Sequence, residues 1–417
     1  MINKLLKNDY ISTIISRIIL IASGLISSVI INRYLGPELK GEYTFILNAV
    51  SIISLVLNLG IGQSYSYFSR NYGSSVKQVF VNIFYIQFIL YFLFYSCFSF
   101  IIPDYSSHLI VSLSILTQFN TQIGFMALVS NIKQKNKIMV SSTLIYNMLL
   151  LLMIIATSSN NLEVVIIIHA IKLFVETTAI IVKMKLYPTL MKINLSLIKV
   201  VLKYSFLPLL TTLLITLNYK LDVIILKLFV ENRDIGIYSV GATLAGMLWI
   251  IPDAFKEVLF NRTAKNDSIK EILISIKFNV YLAVVVIIFF LVIGKDFIVI
   301  MYGNEYKDAF LVSALMLIGC VPMILYKIIN TLFVSIGKQK FAFITLFTSV
   351  CLNTIINFLL IPNYGILGAA YSSIISYSLC GSLFLWYFQK LYSLKLKDML
   401  FVTKSEINTV LKRILRR

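Results

Sequence analysis

Windows of about 20 apolar residues recur from near the N-terminus to about residue 388, separated by short charged or Pro/Gly-marked breaks. That is the length an α-helix needs to cross roughly 30 Å of hydrocarbon, whereas barrel strands would alternate over about ten residues, a pattern this chain lacks. The pattern predicts spans at 11–32, 43–66, 79–101, 108–131, 139–158, 163–183, 205–228, 236–258, 273–293, 309–335, 340–361 and 365–388, about twelve in all. The predicted fold class is an all-α integral membrane protein.

Composition agrees. Of 417 residues, 59% are hydrophobic and 13% charged, and the mean hydropathy is +0.89. The polar surface is too sparse to cover several soluble domains. A net charge of +19 invites a nucleic-acid reading, but the cations follow the membrane instead. Lys4 and Lys7 precede the first span; Arg70 and Lys77 follow the second; Lys133, Lys135 and Lys137 follow the fourth; Lys183, Lys185, Lys192, Lys199 and Lys203 follow the sixth. Arg262, Lys265 and Lys270 follow the eighth, Lys338 and Lys340 the tenth, and Lys412, Arg413, Arg416 and Arg417 close the tail. The opposite turns carry Glu38, Asp104, Glu163, Asp234 and Glu305. This positive-inside bias predicts cytoplasmic termini and no nucleic-acid partner. Arg17 interrupts the first apolar run and no small-residue cleavage site follows, so a first helix is expected there rather than a signal peptide. Cys97, Cys320, Cys351 and Cys380 stand apart in apolar segments, so neither a disulfide framework nor a metal site is expected.

The long charged break at 184–204 reads as a cytoplasmic linker between two six-helix lobes, 1–183 and 205–388, with a tail at 389–417. The opening hairpins of the halves are alike: RYLGPELKGEYTFIL (33–47) and LFVENRDIGIYSVGA (228–242). Repeats of six helices share orientation, which relates the lobes by a pseudo-two-fold axis along the membrane normal and places substrate sites between them. Near the end, IPNYGILGAAYSSIISY (361–377) begins with a predicted turn at Pro362-Asn363-Tyr364-Gly365. One helical face then carries Gly365, Gly368, Ala369, Ser372, Ser373, Ser376 and Cys380, read as a close-packing face in preference to a ligand-binding one.

At these residues the chain resembles the Wzx-type polysaccharide flippases of the multidrug/oligosaccharidyl-lipid/polysaccharide exporter (MOP) superfamily. Four pieces carry the resemblance: RYLGPELKGEYTFIL, LDVIILKLFVENRDIGIYSVGATL, MYGNEYKDA and NFLLIPNYGILGAAYSSIISY. It implies a MATE-like pair of lobes around a cavity, moving undecaprenyl-pyrophosphate-linked oligosaccharide repeat units from the inner to the outer leaflet of a bacterial cytoplasmic membrane by alternating access. The implied partners are that lipid-linked substrate, membrane lipids, a polysaccharide polymerase and a chain-length regulator, with no cofactor. No motif of that family carries catalytic or binding roles onto this chain, so candidate residues rest on chemistry.

Ionisable groups in a bilayer persist when they face a bundle interior or water. Here they are Arg17 in the first span, Lys172 and Glu176 in the sixth, Lys220 and Asp222 in the seventh, Asp253 near the inner end of the eighth, and Lys327 in the tenth. Four cations against three anions leave a mildly positive interior, suited to a pyrophosphate. The expectation is that Arg17, Lys172, Lys220 and Lys327 line a cationic cavity. Lys172 and Glu176, four apart, either neutralise each other or share that role, and Lys220 either lines the cavity or snorkels. Arg17 and Lys327 have no partner within their own helices. Glu176, Asp222 and Asp253 are candidate coupling carboxylates or else structural partners. Asn353 and Asn357, one turn apart, either contact sugars or join helices. His108 sits at a span edge, and His169 reads as a packing residue.

No catalytic residue is predicted. Gly60-Ile-Gly62-Gln-Ser lacks a third glycine and falls in a predicted membrane helix, and no Walker lysine or nucleophile elbow is present. Two rivals remain: a cation-coupled antiporter of the same superfamily, which wants an anionic cavity, and a membrane-embedded polymerase, which wants a large outer loop. From 403 onward, Ile407, Val410, Leu411, Ile414 and Leu415 share one face opposite basic residues, predicting an amphipathic helix on the anionic inner leaflet.

Overall fold

The computed structural model describes residues 2–73, 75–101, 104–156, 160–189, 195–263 and 269–401; at some of these, including 2–15 and 17, the backbone alone is described. The expected tail helix lies outside the described residues. Every regular element among them is helical. In chain order these are α1 (Ile2–Asn58), α2 (Ile61–Tyr72), α3 (Ser75–Phe98), α4 (Tyr105–Ser130), α5 (Ile132–Ala156), α6 (Leu162–Met184), α7 (Leu195–Leu226), α8 (Asn232–Gly246), α9 (Ile250–Thr263), α10 (Ile269–Tyr302), α11 (Ala309–Ser335), α12 (Gln339–Tyr392) and α13 (Leu396–Leu400). Among the described residues, ten helical stretches are long and apolar enough to cross a bilayer. Two of these, in α1 and α12, break at a single glycine, so the expected first and second spans lie in α1 and the eleventh and twelfth in α12.

Backbone chirality makes those breaks. Gly36 adopts φ 68° and ψ 172°, and Gly365 φ 53° and ψ −132°, conformations that L side chains rarely take. Pro37 follows Gly36 and starts the next helical limb, where its missing N–H costs nothing. In α12 the limbs fold back on one another. The Ser349 hydroxyl donates to the Ser376 carbonyl at 2.9 Å, and a Cβ on Gly368 would lie 2.6 Å from the Leu360 carbonyl oxygen. The turn expected over 362–365 is tighter than the sequence implies. Helical geometry runs through Pro362, and the reversal is concentrated at Gly365.

Three other boundaries differ from expectation. The second span ends at Asn58, not 66, because Leu59 (φ 53°) and Gly60 (φ 70°) are successive left-handed residues; hydropathy cannot register such a break. Asn58 Oδ1 accepts from the Gly62 N–H at 3.2 Å, and α2 departs as a separate helix. The Gly60–Gly62 segment therefore lies at an inter-helix turn and not within a membrane helix. The eighth span, Asn232–Lys256, tightens to a 3₁₀ turn, Met247–Trp249, between α8 and α9. The ninth extends to Tyr302, past Lys295 and Asp296, and stops at Gly303 with φ 104°.

The chain divides into two compact units, Met1–Thr216 and Leu217–Arg417, with the division inside α7. In the first unit, α4 touches α1, α2, α3, α5 and α6. Its core has one cluster around Phe68, Phe80, Phe84 and Met126 and a second around Ile46, Leu150, Val165 and Ile166. In the second unit, α11 is enclosed by α8, α9, α10 and α12, and Met323 through Ile329 are all buried.

Lipid is as apolar as leucine, so close approach of backbones holds such helices together. A Cβ on Gly381 would lie 2.2 Å from the Pro322 carbonyl oxygen, and one on Gly319 would lie 3.2 Å from Ile374 Cα. Gly368, Ala369, Ser372, Ser373, Ser376 and Cys380 are all buried on the second limb of α12, so the small-residue face does pack. Ile155, Phe100 and Val292 are largely exposed, as side chains facing acyl chains would be. All four cysteines are free thiols.

Candidate functional site

The second unit encloses a polar network centred on Asp222, which is 1% exposed. Asn218 and Asp222 are four apart and share one face of α7. Ser349, Asn353 and Asn357 form a matching row on the first limb of α12, and Ser373 and Ser376 come from the second. Asp222 accepts three hydrogen bonds, from Ser373 Oγ at 2.6 Å, Asn357 Nδ2 at 2.7 Å and Tyr238 Oη of α8 at 2.9 Å. Asn357 also donates to Asn353 Oδ1 at 3.0 Å, and Asn353 donates to Ser376 Oγ at 3.3 Å. Asn218 Nδ2 reaches Ser349 Oγ at 3.3 Å, while the Tyr377 hydroxyl donates to the Asn218 carbonyl at 3.1 Å.

Three donors converging on one carboxylate satisfy the ionised form, which is otherwise costly to bury. Asn357 Oδ1 and Asn218 Oδ1 are buried without a partner. No group of three or more His, Cys, Asp or Glu side chains among the described residues is placed to hold a metal ion.

A second centre lies on α11. Lys327 Nζ contacts both carboxylate oxygens of Asp253, at 2.8 and 3.1 Å. Two aromatic rings also lie against it, with Nζ 4.8 Å from the Trp249 ring centroid and 5.8 Å from that of Tyr219. The rings themselves are 4.5 Å apart, and Trp249 Nε1 donates to the Cys320 carbonyl at 3.3 Å. The 3₁₀ turn between α8 and α9 is what sets Trp249 beside Lys327.

Of the other expected groups, all but Lys220 belong to the first unit. Lys172 Nζ stands 5.2 Å over the Tyr146 ring, and Glu176 accepts from Ser142 Oγ at 3.1 Å. Each thus has a partner on α5, although the two are only four residues apart. His169 meets the same tyrosine edge-on at 6.1 Å, and His108 Nδ1 is 3.2 Å from Tyr95 Oη. Arg17 lies outside the described side chains. Lys220, on α7, is half-buried.

Two groupings therefore emerge from the expected residues: Lys327 with Asp253, and Asp222 with Asn353 and Asn357. Here both asparagines donate within the protein. Tyr238, Trp249 and Tyr219 were not anticipated. Aromatic residues are common in such a sequence, and nothing in the spacing sets these three apart. Ser373 was visible only as part of the packing face.

A family model described as polysaccharide biosynthesis protein matches residues 6–260. The chain belongs to that family. No curated protein sequence matches it. Among solved structures, the lipid II flippase MurJ in an inward closed conformation is similar with a TM-score of 0.72, at 14% identity, over 98% of this chain and 91% of MurJ. An inward-facing multidrug resistance MATE family transporter of the MOP superfamily gives 0.67 at 13% identity, over 92% and 98% of the two chains. A Vibrio cholerae MATE transporter gives 0.61 at 13% identity, over 94% and 97%.

The fold is therefore that of the MOP superfamily, and the resemblance drawn from the sequence motifs holds at the level of family and fold. The matched segment includes Asp222, Tyr238 and Asp253, whereas Lys327, Asn353, Asn357 and Ser373 lie beyond it. The second unit also has an open cleft of about 650 Å³ where Asp234, Lys295, Lys307, Asp308 and Tyr364 meet. Its two cations and two carboxylates select no ligand charge.

Proposed function

We propose that this protein is a flippase that carries undecaprenyl-pyrophosphate-linked oligosaccharide repeat units from the inner to the outer leaflet of the cytoplasmic membrane by alternating access. The observation that carries the reading is the family match over residues 6–260, on a chain whose fold is that of MOP transporters. The buried ionisable centres support it. An ammonium framed by aromatic rings suits a pyrophosphate, and a carboxylate enclosed by neutral donors suits a coupling ion. Lys172, Lys220 and Arg17 remain candidate pyrophosphate contacts, and Glu176 a candidate coupling carboxylate. The positive-inside pattern supports a cytoplasmic position for both termini.

The test is a deletion strain in which lipid-linked repeat units are located by leaflet-selective labelling. Retention on the inner leaflet is expected. Unpolymerised units reaching the outer leaflet would point instead to a polymerase, and normal surface polymer would refute both roles.

A further inference from the structure

The Lys327–Asp253 pair is lopsided. The lysine side chain is 10% exposed and the aspartate side chain 41%. A buried ammonium without an anion is strongly disfavoured, whereas a carboxylate that reaches water tolerates the loss of its partner. The Trp249 and Tyr219 rings also lie against the ammonium and do not leave with the carboxylate. The carboxylate is therefore the partner open to exchange. Phosphate-type anions offer more charge and more acceptor oxygens than a carboxylate, and so compete for its place.

We propose that Asp253 is a displaceable internal counter-ion, which holds Lys327 until a phosphate-type anion takes the ammonium and releases the carboxylate to water. The ligand is the diphosphate of a prenyl-linked substrate, so this rests on the flippase reading. Asp253 then acts as a positioning residue that competes with substrate. It keeps Lys327 in place between cycles and weakens resting affinity, which favours release.

The chain has two tryptophans. Replacing the exposed Trp386 with phenylalanine leaves Trp249 as the reporter, 4.8 Å from the ammonium. The full chain in phosphatidylcholine nanodiscs is titrated with farnesyl diphosphate, with inorganic pyrophosphate, and separately with phosphatidylglycerol in the disc. A saturable change in Trp249 emission is expected with farnesyl diphosphate. Lys327→Gln should weaken it by about tenfold or more, the scale of one lost charge-assisted hydrogen bond, and Lys327→Arg should retain it. Asp253→Asn should tighten binding by several-fold, because the internal competitor is gone.

A purely structural ion pair gives the opposite result. Asp253→Asn then weakens binding as much as Lys327→Gln does, and the neutral double variant restores what each single loses. Either finding overturns the proposal, as does the absence of any emission change with all three probes. If Lys327→Gln does not fold, Asp253→Asn alone decides: tighter binding supports the exchange, and equal or weaker binding overturns it. Binding of inorganic pyrophosphate or phosphatidylglycerol with the same Asp253→Asn tightening upholds the exchange and identifies a free anion or a lipid headgroup as its source. The deletion strain judges the flippase reading separately, since it does not depend on this pair.

Discussion

Replacing Asp222 with alanine removes the acceptor of three buried donors, Ser373 Oγ, Asn357 Nδ2 and Tyr238 Oη. Hydrogen bonds to a charged group contribute about 1.5–3 kcal/mol each, so the three together contribute roughly 4–9 kcal/mol. Burying the carboxylate costs several kcal/mol in the other direction, and alanine relieves that cost. The difference is a net destabilisation of about 2–4 kcal/mol for Asp222→Ala. Asp222→Asn keeps the volume and one acceptor oxygen while shedding the charge, so its loss is smaller, about 0–2 kcal/mol.

For a unit of about 200 residues, each kcal/mol shifts the melting temperature by about 2–4 °C, which gives a drop of roughly 5–15 °C for the alanine variant. The assay is thermal unfolding of detergent-purified protein, followed as loss of the monodisperse size-exclusion peak. An alanine variant that melts with the native protein, or an asparagine variant that melts below the alanine one, would falsify this account of the network. A stable Asp222→Asn protein that no longer supports surface polymer would separate a coupling role from a structural one.

Gly381→Val should lower the melting temperature and the yield of folded protein, with a cost of about 1–3 kcal/mol or more for overpacking, since a Cβ there would meet the Pro322 carbonyl at 2.2 Å. Gly24→Ala is the matched control: nothing lies within 4 Å of the added methyl, and helix propensity predicts a gain of up to about 1 kcal/mol, read by the same melting assay. Gly60→Ala combines φ +70° with a Cβ 2.3 Å from the Ser205 carbonyl, so it should destabilise the contact between the α1–α2 turn and α7, read as faster proteolysis near residue 73. Asp104 caps α4, and its bonds to the Ser107 hydroxyl and then the Ser107 N–H hold its carboxyl below the ordinary value of 3.8. Its contribution is therefore present above that value and lost as pH falls through the depressed folded-state value. Native protein and Asp104→Ala should differ in melting temperature at pH 7 and converge in acid.

Span number, the turn that ends at Gly365, and the packed face of small residues on α12 were legible in the sequence. They depend on local quantities: the free energy of moving about 20 side chains into hydrocarbon, the backbone freedom of glycine, and the size of side chains recurring along one helical face. The end of the second span at Asn58 escaped, because two left-handed residues inside an apolar run leave hydropathy unchanged.

The partners of the ionisable groups belong to a different level. Lys327 and Asp253 are 74 positions apart, and Asp222 finds Asn357 and Ser373 at separations of 135 and 151. Which side chains meet depends on how each helix is rotated about its own axis. That rotation is set by close contacts such as Gly381 on Pro322 and by the 3₁₀ turn that presents Trp249. Sequence alone thus determined that these charges would be buried in a membrane bundle, and tertiary packing decided which counter-charge, ring or hydroxyl each one faces.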